Sequence, residues 1–135
     1  MKADYVLDAS ALLSVLLAEP GEDRVREVLD RAQMHAVNVA EVIGKLVRAG
    51  VPAVEAVDAV KDFQFEVREE LLFEEAAWIG ELMAGHREIG ASLGDWVCLV
   101  TAARVGAVAM TGDRKWKALD GAVFWGMTFR VELIR

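Results

Sequence analysis

The 135-residue sequence has little cysteine and lacks a long apolar run. Its one cysteine, Cys98, can form neither an intramolecular disulfide nor a thiolate cage for a metal. Asp8 interrupts the apolar stretch from Val6 to Ala18, so no segment reaches the roughly 18 residues that a membrane-spanning helix needs. Asp4 and Asp8 also break the apolar core that a signal peptide would require. We therefore expect a protein of the reducing cytoplasm with no membrane segment.

Positive charge is also scarce, because 15 Lys and Arg oppose 22 Asp and Glu and give a formal net charge of −7. This balance argues against a protein that binds nucleic acid through a broad positive surface, because such binding needs clustered Lys and Arg. It leaves open an enzyme that acts on nucleic acid, since carboxylates can hold divalent cations that cancel part of the charge. The composition, 55% hydrophobic and 27% charged, predicts one globular domain over residues 1–135.

Short apolar segments alternate with helical ones along the chain. The patterns predict strands over residues 5–7, 35–37, 63–67, 107–111 and 128–133. They predict helices over residues 9–17, 22–31, 39–48, 52–62, 73–84 and 96–104 and a brief one over 113–119, with Asn38 capping the third. Such alternation is typical of an α/β fold in which helices flank a mostly parallel sheet. Ligands of such sheets bind at the carboxyl ends of the strands.

Four carboxylates follow predicted strands or begin helices at that edge of the sheet: Asp8, Glu41, Asp95 and Asp113. Each also has a capping explanation. Asp8 and Asp113 precede helices, while Asn38 with Glu41 and Ser92 with Asp95 have capping-box spacing. Because the helix N-termini of a parallel α/β fold gather at one rim, capping acids would cluster there in any case.

The surroundings of two of these acids favour a metal site over capping alone. Ser10 already offers a hydroxyl to the turn that Asp8 would cap. Asp95 precedes the nearly uncharged segment 96–103, which must be buried and would hold that carboxylate rigidly at the boundary of the core. Carboxylates without cysteine or a nearby histidine are the ligand set of Mg²⁺ or Mn²⁺ rather than of zinc. Phosphate would be the natural partner of such an ion.

Four ordered segments resemble the motifs of PIN-domain ribonucleases, and most closely those of the VapC-type toxins: residues 7–13 (LDASALL), 38–42 (NVAEV), 92–96 (SLGDW) and 111–116 (TGDRKW). The resemblance extends over essentially the whole chain. It implies a three-layer PIN fold with a central, mostly parallel sheet and an endoribonuclease that hydrolyses RNA phosphodiester bonds at an acidic Mg²⁺ or Mn²⁺ site. It further implies a cognate VapB-type antitoxin whose tail enters the active groove.

The resemblance also implies roles for individual residues. Asp8, Glu41, Asp95 and Asp113 match the metal-binding acids of the family. Glu41 would either ligate a second ion or hold a metal-bound water as the base. Ser10 and Thr111 match hydroxyls that orient the acids or the phosphate. The sequence departs from the family pattern at Asn38, where Ser or Thr is common, and at Trp116, where Phe is usual.

Basic and aromatic residues near these motifs are candidates for contacts with RNA. Four cations could touch its backbone: Lys45, Arg48, Arg114 and Lys115. The alternative for Lys45 is an i,i+4 ion pair with Glu41. Trp116 is the aromatic residue nearest the motifs and the best candidate for stacking on a base. His35 and His86 lack metal-ligand spacing, and Cys98 falls in a buried helix, so we expect structural roles or simple exposure for them.

Two further interpretations remain beside the nuclease. One is a phosphate-binding or receiver-like α/β module without catalysis, and the other is a PIN fold that serves only as an interaction module. The high apolar content favours a surface covered by a partner, either a second copy in a homodimer or the antitoxin, although a large apolar core alone would also produce it.

Overall fold

A parallel five-stranded sheet forms the centre of the structure, a computed structural model that describes residues 3–135. Its strands are β1 (Tyr5–Leu7), β2 (Ala32–His35), β3 (Glu66–Arg68), β4 (Val108–Thr111) and β7 (Val131–Leu133). They lie in the order β3-β2-β1-β4-β7, and every neighbouring pair is parallel. A separate antiparallel hairpin joins β5 (Val123–Phe124) to β6 (Met127–Thr128). Met1 and Lys2 of the predicted domain lie outside the described residues.

Within residues 3–135, six α-helices connect and cover the strands: α1 (Ala9–Leu16), α2 (Glu22–Val28), α3 (Ala36–Arg48), α4 (Ala53–Lys61), α5 (Phe73–Gly85) and α6 (Leu93–Val105). Short 3-10 helices occupy Leu29–Arg31, Arg87–Ile89 and Arg114–Leu119. No helix within residues 3–135 combines the length and the apolar character needed to cross a bilayer.

The side chains of the central strands alternate between two helical layers, as the period of two along a strand requires. Val6 and Ala109 belong to the core cluster that contains α5 and α6. Leu7 and Met110 pack instead with α1 and α2, and Met34 packs with α1, α3 and α4. The predicted α/β fold, a parallel sheet between helices, is therefore confirmed.

The second strand and the helix after it begin earlier than the sequence predicts. We expected a strand over residues 35–37 and a cap at Asn38, but β2 ends at His35 and α3 begins at Ala36. The reason is that the His35 ring itself caps the helix, its Nδ1 accepting the Val37 N–H at 3.0 Å. Asn38 is consequently a residue of the first turn, and the predicted Asn38 cap is wrong.

The end of the chain also differs from the prediction. The strand predicted over residues 128–133 is shorter, because the chain first forms the β5–β6 hairpin. Trp125 and Gly126 form its two-residue loop with φ of 51° and 76°, the positive values that a type I′ turn needs at both positions. Tryptophan rarely adopts this backbone conformation, so the sequence did not indicate the turn.

The strand predicted over residues 63–67 is displaced to Glu66–Arg68. Phe63 and Phe65 are partly buried against the clusters of α1 to α4, and their packing explains the apolar alternation that suggested a strand.

Candidate functional site

A cavity of about 270 Å³ lies at the carboxyl edge of the sheet. β1 lies between β2 and β4, so the chain leaves neighbouring strands in opposite directions there, and this is the position at which open α/β sheets bind ligands. The lining consists of Asp8, Ala9, Ser10, Glu41, Lys45, Ser92, Asp95 and Asp113. All four acids that the sequence singles out therefore face the same cavity.

Asp8 is the most buried of these acids, with 4% of its surface exposed. It follows β1 directly and caps α1, its Oδ1 accepting the Ala11 N–H at 2.9 Å. Burial raises the pKa of the Asp8 carboxyl from its ordinary 3.8 to about 6. Hydrogen bonds from Thr111, Ser10 and Ala11 oppose this rise in the pKa, and the nearby charge of Asp95 adds to it.

Two hydroxyls tie Asp8 to the loop that carries Asp113. Ser10 Oγ donates to Asp8 Oδ1 at 2.7 Å and accepts the Gly112 N–H at 2.8 Å. Thr111 Oγ1 donates to Asp8 Oδ2 at 2.6 Å and accepts the Asp113 N–H at 2.9 Å. Each hydroxyl therefore donates a hydrogen bond to the carboxylate and accepts one from a backbone N–H of the loop. This arrangement fixes the end of β1 relative to the end of β4.

Asp95 and Asp113 both cap helices, as the alternative explanation of their positions holds. Asp95 Oδ2 accepts the Ser92 N–H at 2.8 Å in a capping box at the start of α6. Asp113 Oδ1 accepts the Lys115 N–H at 3.0 Å. Capping occupies one oxygen of each carboxylate, and the other makes no hydrogen bond within residues 3–135. Capping and ligand binding are thus compatible at these two positions.

Glu41 is held differently from the other three acids. The expected capping box with Asn38 does not form, since α3 already begins at Ala36. Asn38 Nδ2 instead donates to Glu41 Oε1 at 2.8 Å, and the Glu41 carboxylate lies directly over Gly94 of α6. The sequence indicates no individual role for Gly94, and it marks Asn38 only as a cap and as a departure from the family pattern. Both residues matter because α3 lies against α6. This contact joins distant parts of the chain and so leaves no local sequence pattern.

The acids fit a hard divalent cation by their chemistry. None of the four forms an ion pair with a lysine, arginine or histidine of the described chain, although Asp8 is almost fully buried. Buried carboxylates are normally paired with a cation or coordinate a metal. In the side-chain positions of this structure, no three His, Cys, Asp or Glu residues between 3 and 135 lie close enough together to share an ion. Binding an ion would therefore require the carboxylates to turn toward one another.

The candidate RNA-binding cations occupy two kinds of position. Lys45 lines the cavity and is exposed, and the ion pair with Glu41 that we considered is absent from the described residues. Arg48, Arg114 and Lys115 are exposed but do not line the cavity.

Trp116 cannot stack on a base in this structure, because it is fully buried in the core cluster around α6. The hypothesis that it contacts RNA is therefore wrong. Three other residues take structural positions. His35 is buried with both ring nitrogens hydrogen-bonded, and His86 packs against Trp96 and Phe124. Cys98 is buried, and burial raises the pKa of its thiol well above the ordinary value.

Several solved structures resemble this fold over nearly their whole length. A DNA-bound VapBC from Salmonella typhimurium has a TM-score of 0.71 at 16% identity and covers 98% of this chain and 99% of its own. VapBC2 from Rickettsia felis, bound to a promoter DNA fragment, has a TM-score of 0.70 at 13% identity, covering 96% and 97%. VapBC-5 from Mycobacterium tuberculosis has a TM-score of 0.57 at 24% identity and covers 98% of both chains.

Sequence comparison with curated proteins finds no significant match. The model of the PIN domain, however, matches residues 5–122, from the first strand to just before the hairpin. This range includes all four acids and most of the chain. The chain therefore belongs to the PIN-domain family.

Proposed function

We propose that the protein is a metal-dependent endoribonuclease, the toxin of a VapC-type toxin–antitoxin pair, which hydrolyses RNA phosphodiester bonds at the acidic cavity. One observation carries the proposal: Asp8, Glu41, Asp95 and Asp113 line a single cavity at the carboxyl edge of a PIN fold, and none of them forms an ion pair with a described cation. The structural similarity to VapBC proteins supports the toxin assignment.

Asp8, Asp95 and Asp113 are the proposed direct ligands of Mg²⁺ or Mn²⁺. Glu41 either ligates a second ion or acts as the base for a water. The bound cation supplies charge neutralisation at the phosphoryl oxygens and activation of water. Carboxylates are well suited to both ions because these ions prefer oxygen ligands.

The surrounding residues prepare the acids for this task. Ser10 and Thr111 hold both oxygens of Asp8 by donated hydrogen bonds, which keep the carboxylate in one orientation. Asp95 stands on the first turn of α6, most of which is buried, so its backbone cannot shift without disturbing the core. Residues that orient metal ligands in this way commonly contribute about 10-fold to 100-fold to metal affinity or activity.

Lys45 is the proposed contact to the RNA phosphate nearest the reaction, since it is the cation that lines the cavity with the acids. Its charge offsets part of the repulsion between the acidic rim and an anionic substrate. Arg48, Arg114 and Lys115 would bind phosphates further along the RNA backbone, outside the cavity.

The proposed partner is a VapB-type antitoxin in the cytoplasm, and the toxin itself is proposed to be a homodimer. An apolar groove of about 310 Å³ adjoins α3, the helix that also carries Glu41 and Lys45. It is lined by Val39, Ile43, Val57, Val60, Lys61, Phe63, Phe65 and Val67. An antitoxin segment with apolar side chains would fill this groove while its tail reaches the acidic cavity.

Cleavage of total RNA with Mn²⁺ tests the proposed activity. We expect cleavage by the wild type and by Asp58→Asn, and none by Asp95→Asn. Asp58→Asn removes the same charge from an exposed position of α4. An asparagine at position 95 can still accept the capping hydrogen bond, so the fold should survive. A wild type that leaves RNA intact with both Mg²⁺ and Mn²⁺ would contradict the nuclease and favour an interaction module.

A further inference from the structure

Asn38 is a fully buried polar side chain in the first turn of α3. Its Nδ2 donates to two acceptors, Glu41 Oε1 at 2.8 Å and the Gly94 carbonyl oxygen at 3.0 Å. Its Oδ1 is buried and has no hydrogen-bond partner among the described residues. A buried amide that leaves one atom unsatisfied is costly to the fold, so an apolar residue would serve packing better here. The position of Asn38 therefore calls for a reason other than stability.

Gly94 makes room for the carboxylate that Asn38 holds. A Cβ at this position would lie 2.5 Å from both Glu41 carboxylate oxygens, closer than any real contact allows. Gly94 is part of the regular helix α6, where alanine is intrinsically better than glycine. The absence of a side chain at position 94 is thus what permits Glu41 to lie against the first turn of α6.

We propose that Asn38 and Gly94 together form a seat for the Glu41 carboxylate, which we call the Glu41 seat. Asn38 binds one carboxylate oxygen, Oε1, and joins α3 to α6 through the Gly94 carbonyl. The other oxygen, Oε2, makes no hydrogen bond within residues 3–135 and stays available to the cavity. The seat fixes Glu41 beside Asp95, the next residue after Gly94. Asn38 and Gly94 act through Glu41 and are positioning residues for it, a role that rests on the proposed function.

Gly94→Ala gives the sharpest test, because it should displace the Glu41 carboxylate without unfolding the helix. We expect unchanged or higher thermal stability together with Mn²⁺ affinity and RNA cleavage that are about 10-fold to 100-fold weaker. Gly80→Ala is the matched control, since Gly80 lies in α5 with open space around it. It should leave both metal affinity and cleavage unchanged.

Coupling to Glu41→Gln separates positioning from a general structural effect. Asn38→Ala and Gly94→Ala should each weaken Mn²⁺ binding when Glu41 is present. Neither should reduce Mn²⁺ affinity further when it is combined with Glu41→Gln. Equal losses of affinity with and without Glu41→Gln would overturn the seat. A wild type that binds Mn²⁺ and a Gly94→Ala variant that binds it equally well would overturn the seat too.

A readout without metal distinguishes failure of the seat from failure of the proposed function. The side-chain amide resonance of Asn38 in the metal-free protein should shift in Glu41→Gln and in Gly94→Ala, and not in Gly80→Ala. A resonance that stays unmoved in the first two variants overturns the seat. If those shifts occur but the wild type binds no Mn²⁺, the seat stands and the nuclease proposal fails.

Discussion

Replacing Thr111 by valine should destabilise the protein, although the two side chains have nearly the same shape. The Thr111 hydroxyl is fully buried, donates to Asp8 Oδ2 at 2.6 Å and accepts the Asp113 N–H at 2.9 Å. Thr111→Val removes both bonds and leaves a buried carboxylate oxygen and a backbone N–H without this partner.

The magnitude follows from the two bonds. A hydrogen bond to a charged group contributes about 1.5 to 3 kcal/mol and a neutral one about 0.5 to 1.5 kcal/mol. Burial of the added methyl group stabilises the variant by about 0.8 kcal/mol. The free energy of unfolding should therefore fall by about 1 to 4 kcal/mol, with the centre of this range near about 2.5 kcal/mol.

Urea denaturation of the metal-free protein measures this difference. Thr101→Val is the control, because Thr101 is equally buried, in α6, and its hydroxyl bonds to neither Asp8 nor the Asp113 N–H. At most one neutral hydrogen bond is lost there, and burial of the added methyl group offsets part of it, so the free energy of unfolding should fall by less than about 1 kcal/mol. If Thr111→Val falls within that same range, the hydroxyl does not hold Asp8 as we describe.

Three other predictions follow from the positions of individual side chains. Lys45→Gln should weaken RNA binding and make the slope of log affinity against log salt concentration less steep by about 0.7. Its Mn²⁺ affinity, measured by calorimetry, should be retained. An unchanged slope would place Lys45 away from phosphate. Trp116→Phe should leave RNA affinity in a filter-binding assay unchanged, because Trp116 is buried, and a clear loss would show that it becomes exposed. Burial lowers the pKa of His35 below its ordinary 6.5, so the folded state binds fewer protons at His35 than the unfolded state does, and the contribution of His35 to stability falls as the pH drops below 6.5. His35→Asn keeps a capping side chain and should remove this contribution to the pH dependence of the free energy of unfolding, measured by urea denaturation. An unchanged pH dependence in the variant would show that His35 stays neutral in both states.

The architecture could be predicted because alternating strands and helices leave strong local patterns. The strand predicted over residues 5–7 is β1, and the helix predicted over residues 96–104 lies within α6. The errors occur where a single side chain decides the boundary. His35 caps α3 with its ring, a role that asparagine at position 38 would ordinarily fill, and Trp125 adopts a positive φ at the hairpin.

The site was predictable in part. The sequence indicates four acids that follow predicted strands or begin predicted helices, and parallel topology brings such positions to one rim. It does not reveal how each carboxylate is held, because those contacts join residues far apart in the chain. Thr111 reaches Asp8 from another strand, and Asn38 reaches the carbonyl of Gly94 on another helix.

The most direct test of the account is a crystal structure of the wild type grown with saturating Mn²⁺, in which anomalous scattering locates the ion. We predict a peak inside the cavity, with oxygen ligands from at least three of the four acids after their carboxylates have turned inward. The peak should be absent in Asp95→Asn and present in Asp58→Asn. A well-folded wild type with no manganese in this cavity would contradict the proposed metal site and leave Asp8, Asp95 and Asp113 as helix caps alone.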